Sequence, residues 1–205
     1  MLKFILFLSA IFSIDNISGQ SLICTIKSDK MIYKNGKLPV VSVEIKNNTD
    51  SSFYLIKTLN NSYSRHRYPY SYFVIEKIND TSFEETRISG CGNDAFIKES
   101  DFCLVKPGKT FDPFQNDPSP YFSLSLNIAQ KNFSSKGAYK ITYYYSTNEA
   151  DFSKWMGNHM RWKWFNFETN KLHPEYKEEY ERFMILFDQV PKMDLVSNTL
   201  IIQFK

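Results

Sequence analysis

Apolar and polar side chains alternate along several short segments of this chain. In Leu38–Lys46 the apolar side chains Val41, Val43 and Ile45 alternate with polar ones. A period of two over this length is typical of a strand with one buried face. Comparable segments are predicted as strands over Leu22–Ser28, Phe53–Leu59, Tyr72–Ile78, Phe102–Val105, Tyr121–Ile128, Ala138–Ser146 and Leu200–Phe204.

Turn signals separate these predicted strands. Asn35-Gly36, Pro107-Gly108 and Lys136-Gly137 are dipeptides of the kind that punctuate β-structure. They and other polar clusters recur roughly every ten residues, which is the cadence of an antiparallel β-sandwich or barrel. The pattern therefore predicts a mainly β fold.

The segment Asp151–Asp188 departs from this pattern and reads as helical. Within Pro174–Phe187 the apolar residues recur at helical spacing and form one stripe. Pro174 suits the first helical position, where its missing N–H costs nothing, and Glu178 is placed to pair with Arg182. We expect this insert to fold against the β-structure as a lid or a buttress. The stripe comprises Tyr176, Tyr180, Phe183, Met184 and Phe187.

The N-terminal segment has the features of a secretory signal peptide. Lys3 precedes the apolar run Phe4–Ile14, which is followed by a polar stretch. This run is shorter than the roughly 20 residues needed to span a bilayer. We therefore expect residues 1–19 to be removed on export, and the protein to be secreted, periplasmic or at the cell surface. Residues 20–205 are then predicted to form a single domain without a transmembrane segment.

The amino-acid composition and net charge limit the classes of binding partner that we expect. Apolar residues make up 42% of the chain and aromatic residues 17%, which is enough for a substantial core. The net charge is only +3. Such a weak charge does not favour nucleic acid or an anionic membrane surface as a partner.

The chain has three cysteines. In an oxidising compartment Cys91 and Cys103 are predicted to pair, and a loop of that size contributes about 3 kcal/mol in the chain-entropy model. Cys24 is then left over, and we expect it to be a buried thiol on the first strand. Pairings through Cys24 stay open at this point.

Three short patterns resemble bacterial extracellular immunoglobulin-like modules. The sequence Gly137-Ala138-Tyr139-Lys140-Ile141 looks like the start of strand F, where a tyrosine hydrogen-bonds back to the preceding connection. The early segment Pro39–Ile45 and the final Val196–Ile202 look like the first and closing strands. The resemblance implies an antiparallel Ig-like β-sandwich. It does not cover the helical, aromatic-rich insert at about 151–188, which we expect before the last strand. It transfers no catalytic residues.

No catalytic or metal-binding motif stands out. The chain has no Gly-x-Ser-x-Gly, and His66, His159 and His173 do not have the spacing of metal ligands. We therefore predict no cofactor and no metal, and an enzyme is the least favoured class.

Two segments combine aromatic and basic residues in a way that favours molecular contact. Either the rings anchor loops to the core, or they form an exposed platform for a sugar or a protein, since Trp and Arg are frequent at interaction hot spots. The tentative contact residues are Arg65, Arg67, Tyr68 and Tyr70 in the first segment and Trp155, Arg161, Trp162 and Trp164 in the second.

The sequence as a whole favours an exported, non-enzymatic binding module with a protein or glycan partner. One alternative is a carbohydrate-binding or carbohydrate-active protein, which requires exposed aromatic rings beside a carboxylate. A second alternative is a secreted protease inhibitor, which requires an exposed, extended loop; Pro113–Pro120 is the candidate loop.

Overall fold

The fold is mainly β and is built from antiparallel sheets. A computed structural model describes residues 22–34, 37, 39–57, 70–79, 86–88, 98–114, 133, 135–150, 163–166 and 168–205. The strands are β1 (Leu22–Ser28), β2 (Ile32–Tyr33), β3 (Val41–Asn47), β4 (Phe53–Ile56), β5 (Ser71–Lys77), β6 (Thr86–Ile88), β7 (Phe102–Val105), β8 (Thr110–Phe111), β9 (Gly137–Ser146), β10 (Asp194–Val196) and β11 (Leu200–Phe204).

These strands form three sheets. The first has the order β1-β3-β8, and the second has the order β2-β11-β9-β5-β6, with β10 also paired to β9. The third is the pair β4-β7. The described strand pairs are antiparallel except for β2 and β11, which run parallel at the edge of the second sheet.

The main core lies where the inward faces of the first and second sheets meet. The alternation in β3 buries Val41, Val43 and Ile45 completely, because successive side chains of a strand point to opposite faces. They belong to the same buried cluster as Phe73 of β5 and Ile141 of β9. The sequence pattern of each strand therefore decides which of its residues enter this core.

A second cluster joins the third sheet to a helix. The helix α1 (Lys177–Asp188) buries Phe183 and Phe187 against Ile56 of β4 and Phe102 of β7. The side chain of Tyr145 connects this region to the second sheet. Its hydroxyl accepts a hydrogen bond from the Ile56 amide at 2.9 Å and donates one to the Ile56 carbonyl at 3.0 Å.

The helical insert differs from the prediction in two respects. Phe165 and Leu172 form an antiparallel bridge, so the described residues before α1 are not helical throughout. A 3-10 turn over Pro174–Tyr176 then leads into α1. Arg182 pairs with Glu99, whose Oε1 lies 3.1 Å from the Arg182 Nε atom, and the ion pairs found among the described residues do not include one between Glu178 and Arg182. No helix within the described residues is long and apolar enough to cross a membrane.

The predicted bounds of β1, β7 and β11 are confirmed. β5 lies one residue earlier than predicted at both ends, and β9 begins one residue earlier. β3 begins three residues later than predicted and ends one residue later, and β4 ends three residues earlier. The short strands β2, β6, β8 and β10 were missed. The predicted strand Tyr121–Ile128 lies outside the described residues.

Candidate functional site

An open groove lies at one end of the second sheet, on the side away from the core. Its volume is about 580 Å³. The register pairs Tyr144 of β9 with Tyr72 of β5 on one side and with Val196 of β10 on the other. We call it the tyrosine groove, and its lining residues are Tyr70, Tyr72, Tyr144, Tyr145, Ser146, Asn148, Glu149, Asp194, Leu195 and Val196.

Strand alternation explains why Tyr144, in the middle of a run of three tyrosines, has its side chain on the outer face of the sheet. Tyr143 and Tyr145 point inward and are buried, whereas Tyr144 points outward and is half-buried. The rings of Tyr72 and Tyr144 stack, with centroids 5.1 Å apart and planes 7° apart. Val196 beside them is 56% exposed. The groove thus has a wall of two stacked, half-buried aromatic rings beside an exposed apolar side chain.

The polar end of the groove is organised around Asp194. Oδ1 of Asp194 accepts a hydrogen bond from the Ser146 hydroxyl at 2.5 Å, and Oδ2 accepts one from the Asn148 amide at 2.5 Å. The backbone N–H of Asn148 also donates to the Ser146 hydroxyl at 3.3 Å. Both donors are neutral, and no ion pair to Asp194 is found among the described residues. The Asp194 carboxylate is therefore held in place by neutral groups, and these groups do not neutralise its negative charge.

Glu149 supplies a second carboxylate, near Lys192. Burial lowers the pKa of the Lys192 ammonium, and the negative charges of Asp188 and Glu149 partly oppose that shift. The Lys192 Nζ atom lies 3.5 Å from the ring centroid of Phe187, which is a cation–π contact. Lys192 is therefore held against α1 and is not one of the groove's lining residues.

Of the predicted contact residues, the structure places Tyr70 at the groove. Its side chain is half-buried, and its carbonyl accepts a hydrogen bond from the Ser146 amide at 2.6 Å. The predicted residues Arg65, Arg67, Tyr68, Trp155, Arg161 and Trp162 lie outside the described residues. Tyr70 directly precedes β5, and Ser146 is the last residue of β9.

Trp164 is a core residue, and its assignment to a contact surface is wrong. Its side chain is fully buried, and its ring lies 5.0 Å from that of Phe183. The indole Nε1–H donates to Oε2 of Glu179 at 3.2 Å, and Lys163 donates to the same carboxylate at 2.9 Å. Trp164 thus anchors the part of the insert that precedes α1 to the helix itself.

A second, smaller cleft of about 450 Å³ is lined by residues of β3, β7 and β8 and by Asp112. Cys103 and Asp112 are among its lining residues. Burial raises the pKa of the Cys103 thiol, and the nearby Lys57 partly offsets this. Cys91 lies outside the described residues, and no disulfide is found within them. The Cys91–Cys103 pairing therefore stays a prediction.

Cys24 lies buried on β1, as expected. Burial raises the pKa of its thiol to about 12, because the low-dielectric core disfavours the thiolate. Within the described part of the chain, no group of three or more His, Cys, Asp or Glu side chains is placed to hold a metal ion.

Apart from Tyr70, the residues that build the tyrosine groove were not among the predicted contact residues. Tyr72 and Tyr144 lie in predicted strands, but their pairing depends on a register that the sequence does not specify. Asp194 reaches the site from a strand of three residues, far along the chain. One signal was available in the sequence. Alternate residues of a strand face opposite sides of the sheet, and Tyr144 is at an outward-facing position of the predicted strand Ala138–Ser146.

No protein-family model matches this chain, and no curated protein or solved structure shows significant similarity to it.

Proposed function

We propose that this protein is an exported, non-enzymatic binding module with an Ig-like β-sandwich fold, and that the tyrosine groove is its binding site. The groove itself carries the proposal. Binding sites are typically concave and largely apolar, with a few well-placed polar groups. The stacked pair of Tyr72 and Tyr144 supplies the apolar wall, and Asp194 with its two donors supplies the polar end.

Strand order supports the Ig-like part of the proposal. In such sandwiches strand F lies between C and G in one sheet, while A, B and E share the other. Here β9 lies between β5 and β11, and β1, β3 and β8 form the other sheet. The hydroxyl of Tyr139, near the start of β9, donates to the Ser135 carbonyl at 2.9 Å. A tyrosine that bonds back to the chain just upstream of strand F is a feature of these folds.

Tyrosine suits a site that must be apolar and yet remain soluble. Its ring gives a large contact area, and its hydroxyl stays hydrated or bonds to a ligand. Tyr72 and Tyr144 support each other by stacking, so a ligand would meet a wall whose side chains are already ordered. Such preorganisation lowers the entropic cost of binding.

The proposal is tested by screening the full chain against glycan and peptide arrays, and by repeating every positive with two variants. Tyr144→Ser removes half of the aromatic wall and should reduce binding at least about tenfold. Leu104→Ser is the control, because Leu104 is an apolar strand residue that is 50% exposed but lies on β7 and does not line the groove. Equal loss in both variants, or conversion of the ligand into product, would reject the proposal.

Carbohydrate binding is the second candidate, and the groove favours it specifically. Aromatic rings pack against the C–H faces of sugars, and carboxylate and amide groups bind their hydroxyls. Tyr144 beside Asp194 and Asn148 provides both kinds of group. A glycan that binds wild type, but not Tyr144→Ser, would select this class.

The protease-inhibitor alternative receives no support from the described residues. It requires the loop Pro113–Pro120 to be exposed, but Pro113 and Phe114 are buried, and Phe114 stacks on Phe73 in the core. The remaining residues of that loop, 115–120, lie outside the described residues.

A further inference from the structure

We propose that the tyrosine groove recognises an organic cation, namely the charged head of a lysine or arginine side chain presented by a partner protein. This inference rests on the proposed function, because it names the ligand class of the same site. It is carried by the position of an un-neutralised carboxylate next to a stacked aromatic pair.

The charges around the groove are complementary to a cation. Among the described residues that line the groove are the carboxylates of Glu149 and Asp194, and these described residues include no Lys, Arg or His. Lys192 lies close enough to affect Glu149, but its ammonium is held against the Phe187 ring. Asp194 accepts only from neutral donors among the described residues. A cation entering the groove would therefore meet the negative charge of the Asp194 carboxylate.

The aromatic wall lies at the right distance from that charge. Asp194 and Val196 are two residues apart on β10, and Val196 is directly opposite Tyr144. Two residues of a strand span about 6.6 Å, and a cation binds an aromatic face within about 6 Å of its centroid. One ammonium or guanidinium group placed between them can thus contact the Tyr144 ring and the Asp194 carboxylate together.

The shape of the groove favours a side chain carried on a longer partner. The groove is open to solvent, so it can receive a side chain that projects from a partner's surface. Val196 at 56% exposure and Leu195 provide apolar surface for the methylene stem, which lysine and arginine bury readily while their heads remain charged.

The test is an NMR titration of the full chain with two capped glycine peptides that differ in one group. One carries a central lysine and the other carries Nε-acetyl-lysine, which has no charge. We expect saturable shifts of the Tyr72 and Tyr144 ring signals with the lysine peptide only, and weaker binding in high salt. Equal binding of the acetylated peptide would overturn the inference and leave the proposed function standing.

Two variants and a matched control locate the effect. Asp194→Asn retains the acceptor for Ser146 and removes the charge, so the affinity for the lysine peptide should fall about fivefold. Tyr144→Leu keeps apolar bulk without a π-face and should also weaken binding. Glu76→Gln removes an exposed carboxylate from the opposite end of β5 and should change nothing. Equal effects of Glu76→Gln and Asp194→Asn would mean non-specific charge attraction and overturn the inference.

Two further results would contradict the proposed recognition of a partner's lysine or arginine side chain. If the lysine peptide binds only after Arg65→Ala and Arg67→Ala, the occupant of the groove is this chain's own basic segment and not a partner. If neither peptide, nor any glycan or peptide of the arrays, shifts the Tyr72 and Tyr144 signals, the inference and the proposed function fail together.

Discussion

The side-chain amide of Asn198 binds both backbone groups of Ile26, a residue 172 positions earlier in the chain. The Ile26 N–H donates to Oδ1 at 2.8 Å, and Nδ2 donates to the Ile26 carbonyl at 3.1 Å. Asn198 lies in the connection between β10 and β11, so this contact joins the first sheet to the second. It satisfies polar groups of β1 that its partner strand β3 does not reach.

Asn198→Ala should therefore destabilise the protein by about 1–3 kcal/mol, because two hydrogen bonds are lost and two backbone groups lose their partners. Urea unfolding of the purified protein measures this loss. Asn48→Ala is the control, since Asn48 is exposed in a turn and its replacement should cost no more than about 0.5 kcal/mol. Equal stability of the two variants would contradict the assigned role of Asn198.

Tyr139→Phe tests the corner at the start of β9. The Tyr139 side chain is fully buried, and its hydroxyl contacts both the carbonyl and the hydroxyl of Ser135 at 2.9 Å. Removing the hydroxyl should cost about 1 kcal/mol, seen as a lower midpoint of urea unfolding at unchanged slope. Tyr54→Phe is the matched control, because Tyr54 is only partly buried, and it should unfold like wild type.

Sequence patterning predicted the long strands because burial on one face fixes their alternation. In β1, Leu22, Cys24 and Ile26 enter the core as expected. β2 and β10 could not be predicted in this way, since two or three residues do not establish a period. Such short strands exist because a longer neighbour presents unpaired backbone groups to them, which is a property of the tertiary structure.

The candidate site was harder to predict than the fold, for a related reason. Aromatic and basic clusters drew attention to Trp164, but an indole in a cluster serves a core as readily as a surface. Because the Trp164 side chain is fully buried, it has no surface role. By contrast, Tyr72, Tyr144 and Asp194 come from three separate strands, and only their register brings them together.

The thiol of Cys24 should be protected in the native protein. Its pKa is about 12, against an ordinary value of 9.0, so the thiolate fraction near neutral pH is lower by about a thousandfold, and alkylation requires the thiolate. Mass spectrometry after brief iodoacetamide treatment should find Cys24 unmodified in buffer and modified in urea. Rapid modification in buffer would show that β1 does not bury this residue stably.

Glu179 should make stability depend on pH in the acidic range. Burial acts to raise the pKa of its carboxyl, but hydrogen bonds from Lys163 and Trp164 and the charges of Lys163 and Arg182 outweigh it, and the pKa is lowered from 4.5. A depressed pKa in the folded state means that this stabilisation is present above about pH 4.5 and is lost as the pH falls through the folded-state value.

Glu179→Gln retains an acceptor for the Trp164 indole but cannot be ionised. We therefore expect it to be less stable than wild type at neutral pH, and the difference should shrink as the pH is lowered below 4.5. Urea unfolding at several pH values measures both effects. Glu178→Gln is the control on the same helix, because Glu178 is exposed; the proposed role of Glu179 fails if both variants show the same pH profile.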